Sequence, residues 1–301
     1  KKVPADSARS FVQGLGLVSL SAGNSIFITP VSTGSSTPLQ LRSVAGVAAK
    51  PLAGALWKIG PARPGNEVLV VAAMHKAGES SVESQSLQFF QVSDQGQLSC
   101  VGACTADGID PITSMSLQLL AAVEGGSSCR LACGTRKGGV FIYQLSWPLP
   151  AAFKAAAEGN GSSSSPLTAE AILHAHSKPV VDVQWRPQSG AGDSQMLLSA
   201  CQDGLIKLWS CAPSQPTELL SAGSTVGPIR QGGGLLAACW DVSADSPAVL
   251  AGGRDQVAFR WDPKVPEKAD PAGLHLGDLP RKEPSASKAA RLPKAAQRSA
   301  A

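Results

Sequence analysis

Two runs, HSKPVVDVQWRP (176–187) and MLLSACQDGLIKLWS (196–210), separated by a Gly-rich loop, decide the fold. Val181, Val183 and Trp185 alternate, which predicts a strand with one apolar face. Arg186-Pro187 and the stretch to Asp193 end it. Met196 to Cys201 reads as a second apolar strand. Gln202-Asp203-Gly204 predicts a tight turn, in which the glycine supplies the positive φ a hairpin needs. Leu205 to Trp209 is a third strand, and Glu218-Leu219-Leu220 an outer fourth.

The same grammar recurs on both sides. Downstream, LLAACWDV (235–242) precedes AVLAGGRDQVAFRWD (248–262), and Asp255 leads Trp261 by six residues, as Asp203 leads Trp209. Upstream, ITSMSLQLLAAV from Ile112 precedes RLACGTRKGGVFIYQL from Arg130. There Lys137 takes the Asp place and Tyr143 the Trp place. Earlier, PLAGALWKI from Pro51 precedes EVLVVAAM and SLQFFQV. GLVSLSAGNSIFITPV from Gly16 reads as a hairpin of second and third strands. The unit from Phe11 is therefore expected to lack a full opening strand.

These units resemble the WD-repeat (WD40) family, in which each repeat forms one four-stranded propeller blade of about 40–45 residues. The resemblance is clearest from His176 to Trp209 and covers roughly residues 11–265. It implies an all-β propeller with about five blades visible, incomplete at the N-terminus. Residues 1–10 are expected to be an extension. AAFKAAAEGNGSSSSP (151–166) is expected to be a surface insertion, and HKAGESSVESQS from His75 a lengthened hairpin turn. Residues 266–301, rich in Lys, Ala, Pro and Ser, predict a disordered basic tail.

His176, Ser199, Asp203 and Trp209 match the positions of the structural tetrad of the family, a buried chain of hydrogen bonds. A buried indole N–H needs an acceptor, and each polar atom of such a chain satisfies the next. The resemblance implies that His176 bridges Ser199 and Asp203. Asp255 and Trp261 form a partial tetrad, because Ala251 stands in the Ser place. A Ser, a His and an Asp also suggest a hydrolase, but Asp203 lies in a hairpin turn and no Gly-x-Ser-x-Gly elbow surrounds Ser199. Trp261-Asp262-Pro263-Lys264 resembles the blade ending of substrate receptors for cullin-type ubiquitin ligases. Trp261, Asp262 and Lys264 are thus candidate adaptor contacts. Trp57 and Trp185, at the ends of opening strands, are candidate partner-binding aromatics.

Composition narrows the function classes. Apolar residues make up 43% and charged residues 16% of the 301, enough for a core and too apolar for a wholly disordered chain. The net charge is +4. Arg281, Lys282, Lys288, Arg291, Lys294 and Arg298 face one acid, Glu283, at the end, so the body is close to neutral. A neutral body gives no broad field for steering to phosphate. The tail lacks aromatics for base stacking, so nucleic acid is expected to bind weakly there or nowhere. No run of about 18 apolar residues predicts a membrane span. The chain starts with Lys1, as a fragment or processed product would. Seven cysteines sit mostly in strand-like contexts and read as buried free thiols of a reducing compartment. Cys100 with Cys104, and Cys129 with Cys133, are spaced C-x3-C, without the tighter knuckles or nearby His of a zinc site. No Gly-rich stretch has the order of a phosphate-binding loop. The expectation is a non-catalytic scaffold subunit that binds proteins in a larger complex, with no cofactor or metal, inside the cell in nucleus or cytoplasm. The alternative is a ubiquitin-ligase substrate receptor.

Overall fold

In the computed structural model the described residues are 8–12, 16–20, 25–29, 37–40, 49–58, 67–76, 83–92, 98–106, 110–120, 126–157, 166–187, 195–211, 217–222, 234–241, 248–253 and 258–261. They form five antiparallel sheets that follow one another along the chain. The first holds β1 (Ala8–Val12), β2 (Gly16–Leu20), β3 (Ser25–Thr29) and β4 (Thr37–Gln40). The second holds β5 (Ala49–Lys58), β6 (Glu67–Lys76), β7 (Glu83–Val92) and β8 (Leu98–Thr105). The third holds β9 (Ile112–Leu119), β10 (Ser127–Thr135), β11 (Val140–Trp147) and β12 (Ala171–Leu173). The fourth holds β13 (Val180–Trp185), β14 (Met196–Cys201), β15 (Ile206–Ser210) and β16 (Thr217–Ala222). The fifth has three strands, β17 (Leu235–Asp241), β18 (Ala248–Gly253) and β19 (Ala258–Trp261). Each sheet is a meander in which consecutive strands pair.

The first sheet corrects one expectation. Ala8–Val12 pairs with Gly16–Leu20 and supplies the opening strand, starting inside the stretch read as an extension. Among the described residues the short sheet is the last one. The runs EVLVVAAM and SLQFFQV also join more closely than expected, because β6 and β7 pair from Glu67↔Val92 to Lys76↔Glu83. That pairing absorbs much of the stretch read as a lengthened turn.

Sheets two to five stack face on face, so the middle strands of sheets two to four are covered on both sides. Such strands carry apolar runs in place of alternation. Val68 to Ala73 of β6 are each 0% exposed, and all six residues of β14 are buried. One apolar layer, with Val70, Phe89, Leu131 and Tyr143, joins sheets two and three. A second, with Ala132, Ile142, Val183, Trp185 and Trp209, joins three and four. A third, with Leu198, Ile206, Leu208, Trp240 and Val249, joins four and five.

The alternation of Val181, Val183 and Trp185 is broken. The register of β13 on β14 shifts between Val180 and Asp182. Val181 therefore packs into the layer towards sheet five, while Val183 and Trp185 enter the layer towards sheet three. A bulge sends the extra residue to the other face.

The stretch 151–166 is not a plain surface insertion. Ala151–Ala157 forms α1, with Phe153 and Ala156 buried. Phe153 stacks on Phe89 of sheet two, with ring centroids 6.1 Å apart and planes 13° from parallel. Pro166 bridges to Thr105 of β8, and Leu167 N–H donates to Thr105 O at 3.2 Å. The signal was the lone Phe in AAFKAAA. Its spacing from Ala156 and Ala157 gives one apolar face to a single pair of helical turns.

Candidate functional site

The tetrad positions of the fourth sheet are set by backbone geometry. His176 lies in the connection between β12 and β13. Its N–H donates to Gly138 O at 3.0 Å in the β10–β11 turn. Gly138 has φ +92°, and a Cβ there would meet His176 O at 2.1 Å, so only glycine lets the two segments touch. Gly204 has φ +93° and closes the corresponding turn of sheet four, as the Gln202-Asp203-Gly204 pattern predicts. Ser199 lies in the middle of β14, opposite Val183 and Lys207, and is 0% exposed. Trp209 lies on β15 opposite Leu197 and is buried.

Three of the four residues are bonded together. Trp209 Nε1–H donates to Ser199 Oγ at 2.9 Å. Ser199 Oγ also lies 2.9 Å from His176 Nε2. Burial holds the His176 ring down at about 4, against an ordinary 6.5, with nearby Asp203 opposing that shift and Lys207 adding to it. The ring is thus neutral at neutral pH. Lys207 Nζ sits 5.6 Å from the Trp209 ring centroid.

Asp203 departs from the expectation. His176 Nδ1 is buried and has no hydrogen-bond partner, so His176 does not bridge Ser199 and Asp203. The Asp203 carboxylate instead accepts Leu205 N–H at 2.9 Å and the Ser177 hydroxyl at 3.5 Å. The physical reason is local: an aspartate in a turn bonds the backbone two residues on as readily as it bonds a distant ring. Cys201, not singled out by the sequence pattern, completes the neighbourhood. Its thiol donates to Lys178 O at 3.2 Å, and its sulfur accepts Asp203 N–H at 3.5 Å. Burial pushes the Cys201 thiol up to about 12.

Other candidate residues fall elsewhere. Trp185 is 5% exposed and lies in the layer between sheets three and four, which corrects its candidacy as a partner-binding aromatic. Its position after Val183 puts it on the side covered by β9, where Trp185 N–H donates to Ser116 Oγ at 3.0 Å. Trp57 lies in β5, and its side chain is outside the described residues. Trp261 is half-buried against the layer between sheets four and five. Asp255, Asp262, Lys264 and the tail 266–301 lie outside the described residues. In the third sheet Tyr143 is buried and Lys137 pairs with Asp110 at 2.7 Å.

Two polar anchors were missed by the sequence reading. Arg130, 7% exposed in β10, grips Glu170 through Nη2 at 2.5 Å and Nε at 3.1 Å. Its Nη1 donates to Cys211 O at 2.8 Å and to Gln195, so it clamps sheet three to sheet four. An Arg within the apolar run CRLACG was the signal. The second anchor is Asp182, which accepts Ala238 N–H of β17 at 3.3 Å, beside Trp240 Nε1–H donating to Gln184 O at 3.0 Å. Burial pushes the Asp182 carboxyl up to about 6, partly offset by hydrogen bonds from Ala238 N–H, the Gln184 side chain and Val183 N–H.

No protein-family model and no curated protein matches the sequence. The fold does have solved counterparts. The crystal structure of Saccharomyces cerevisiae Sqt1 matches with TM-score 0.52 at 12% identity, over 85% of this chain and 60% of that one. BBS1N, crystallised in complex with ARL6DN, matches with TM-score 0.49 at 13% identity, over 83% of this chain and 62% of that one. The C-terminal WD40 domain of Sif2 matches with TM-score 0.43 at 16% identity, over 84% of this chain and 54% of that one. The chain thus spans about three fifths of the length of the first two. Its fold is of the WD-repeat β-propeller type, mostly β and built of successive antiparallel sheets. Among the described residues no helix is long and apolar enough to cross a membrane.

Proposed function

We propose that the protein is a non-catalytic scaffold subunit that binds other proteins within a larger complex. The observation that carries this reading is the use made of the His–Ser–Trp chain. Ser199 Oγ accepts an indole N–H and contacts a ring nitrogen inside the fourth sheet, so both of its bonds hold strands together. A serine so engaged presents no nucleophile to solvent. Stacked sheets of this kind form a rigid body whose loops are free to vary, and binding surfaces concentrate on such loops. Its partners are other proteins. The buried free thiols Cys104, Cys129, Cys133, Cys201 and Cys211 support a reducing compartment inside the cell.

The test is affinity purification of the tagged full chain from its native cell, followed by mass spectrometry and size-exclusion chromatography. A stoichiometric set of co-eluting proteins that survives moderate salt is the expected result. Cullin adaptors in that set would replace the scaffold with a substrate receptor. Elution as a lone monomer under every condition would overturn both.

A further inference from the structure

We propose that Arg136, Lys137 and Lys178 form a docking site for an acidic segment of a partner protein, at the turn end shared by the third and fourth sheets. The inference rests on the scaffold reading above and adds a place and a chemistry to it. All three residues are exposed. Arg136 and Lys137 lie in the β10–β11 turn, and Lys178 lies in the connection from β12 to β13. The two segments touch through their backbones. His176 N–H donates to Gly138 O at 3.0 Å, and a Cβ on Gly138 would come within 2.9 Å of Lys178 O. Two carboxylates flank these cations, and both are engaged. Asp110 pairs with Lys137 at 2.7 Å, while Asp203 accepts Leu205 N–H and the Ser177 hydroxyl. Among the described residues Arg136 and Lys178 have no ion-pair partner.

The turn itself does not call for these cations, because the fourth sheet closes the same turn with the same bonds. Arg136 N–H donates to Pro111 O and Gln202 N–H to Pro179 O, each at 2.9 Å. Gly138 N–H donates to Thr135 O at 3.2 Å, as Gly204 N–H donates to Cys201 O at 3.0 Å. Gln202 and Asp203 thus stand where the third sheet has Arg136 and Lys137. An uncharged and an acidic residue build this turn as well as two basic ones, so the positive charge is available for recognition. The frame is also stiff. Thr135 donates to Gly139 O twice, from N–H at 2.9 Å and from its hydroxyl at 3.0 Å. Cations carried on such a frame are already in place when a partner arrives, which lowers the cost of ordering them. Complementary charge at an exposed rim speeds encounter and fixes register. A run of Asp and Glu supplies that complement. Nucleic acid fits less well. TRKGG (135–139) and HSKP (176–179) hold no Trp, Tyr or Phe on which bases could stack. Three cations also neutralise few phosphates.

The experiment is an anisotropy titration of the full chain with a short fluorescent peptide of alternating Glu and Gly, at low and moderate salt. In every protein used, the tail cations Arg281, Lys282, Lys288, Arg291, Lys294 and Arg298 are replaced by Ser, so that the tail cannot capture the probe. The parent should bind, more weakly as salt rises. R136S/K137S/K178S should weaken binding about tenfold, and R136S or K178S alone about two- to threefold, with the Tm of each nearly unmoved. Asp110→Asn, which releases Lys137, should tighten binding about twofold. K154S, which removes an exposed cation on α1, should change nothing. A parent that does not bind overturns the site, and so does a loss in K154S as large as that in the single variants. Tighter binding of a single-stranded DNA oligonucleotide, lost in the same variants, would replace the acidic protein with nucleic acid. Purification from the native cell separates this site from the scaffold reading. Partners kept by the parent and equally by the triple variant leave the scaffold standing and remove the site. A parent that elutes alone removes the scaffold, and the peptide titration still decides the site.

Discussion

The fourth and fifth sheets begin from nearly the same pattern and end differently. Both have an opening strand with a Trp at or next to its end, Trp185 in one and Trp240 in the other, and both indoles are buried. In the fourth sheet, Ser199 lies under Trp209, and a fourth strand pairs with β15. In the fifth, Ala251 replaces the serine, and the described strands number three. The outer faces differ as well. Val181, Leu198, Ile206 and Leu208 of the fourth sheet pack against the fifth. At the corresponding places of the fifth stand Leu236, Leu250, Ala258 and Arg260, and Leu236 and Leu250 are 57% and 41% exposed. A blade is thus secured twice, by its internal polar chain and by the sheet that covers it, and the fifth is weaker on both counts.

The comparison is sharpest at the two strand-three tryptophans. Trp209→Ala should cost about 3–5 kcal/mol in urea unfolding, since it empties a buried site and leaves Ser199 without its donor. Trp261→Ala, at a half-buried place with no serine beneath it, should cost about 1–2 kcal/mol. Equal costs would mean that the polar chain adds nothing to the fourth sheet.

Ser199→Ala should cost about 1–3 kcal/mol, because two buried groups, the Trp209 indole N–H and the His176 ring, lose their partner. The reverse change, Ala251→Ser, would test whether the missing hydroxyl alone explains the weaker sheet. A rise in stability on Ala251→Ser would show a ready acceptor site beneath Trp261; a fall, measured in the same urea titration, would show a buried hydroxyl left unpaired.

The junction of the two sheets should respond to pH through Asp182. Its carboxyl is held at about 6, above the ordinary 3.8, mainly by burial. A raised carboxyl favours the folded state when protonated, so the benefit is complete below about pH 3.8 and is lost as pH rises through about 6. Asp182→Asn removes the charge and keeps an acceptor for Ala238. It should stabilise the protein at about pH 7.5 by on the order of 1–2 kcal/mol and change little at about pH 4. His176 works in the opposite direction. Its lowered value contributes stability that is full above about pH 6.5 and is lost as pH falls towards about 4. Thermal melts of the parent and of Asp182→Asn across this range separate the two, and a constant offset for Asp182→Asn at every pH would remove Asp182 from the account.

The smallest effect is expected from Arg260, whose bond to Asp241 at 2.9 Å is made by a side chain 44% exposed. Arg260→Ala should cost less than about 0.5 kcal/mol. A loss several times larger would mean that something covers this face in solution.

Much of this was legible in the sequence, for physical reasons. Strand existence followed apolar runs and turn glycines: Met196–Cys201 and Glu67–Lys76 lie where MLLSAC and EVLVVAAM place them. The outer strands β4, β8 and β12 escaped because short edge strands such as TPLQ and AIL carry no strong period. The proximity of Ser199, His176 and Trp209 followed from the resemblance to the WD-repeat tetrad, whose positions these three residues match. The turn of Asp203 towards Leu205 did not, because a carboxylate in a turn has two acceptable partners and only coordinates choose between them. Cys201 was hidden inside an apolar strand, where a thiol is indistinguishable from a small hydrophobe. The bulge at Val181 was equally silent, since one extra residue changes facing without changing composition.

The helix α1 carries one more consequence. The segment that leaves β11 doubles back so that Phe153 rests on Phe89, and its far end is bridged to Thr105 before β12 returns to the third sheet. Stacked repeats ordinarily fray one unit at a time, each held only by its neighbours. A belt laced through two units removes that freedom: the third cannot peel away without tearing its own connection off the second. In amide hydrogen exchange the two sheets should therefore open as one cooperative block, while the fifth, which no such belt crosses among the described residues, exchanges on its own.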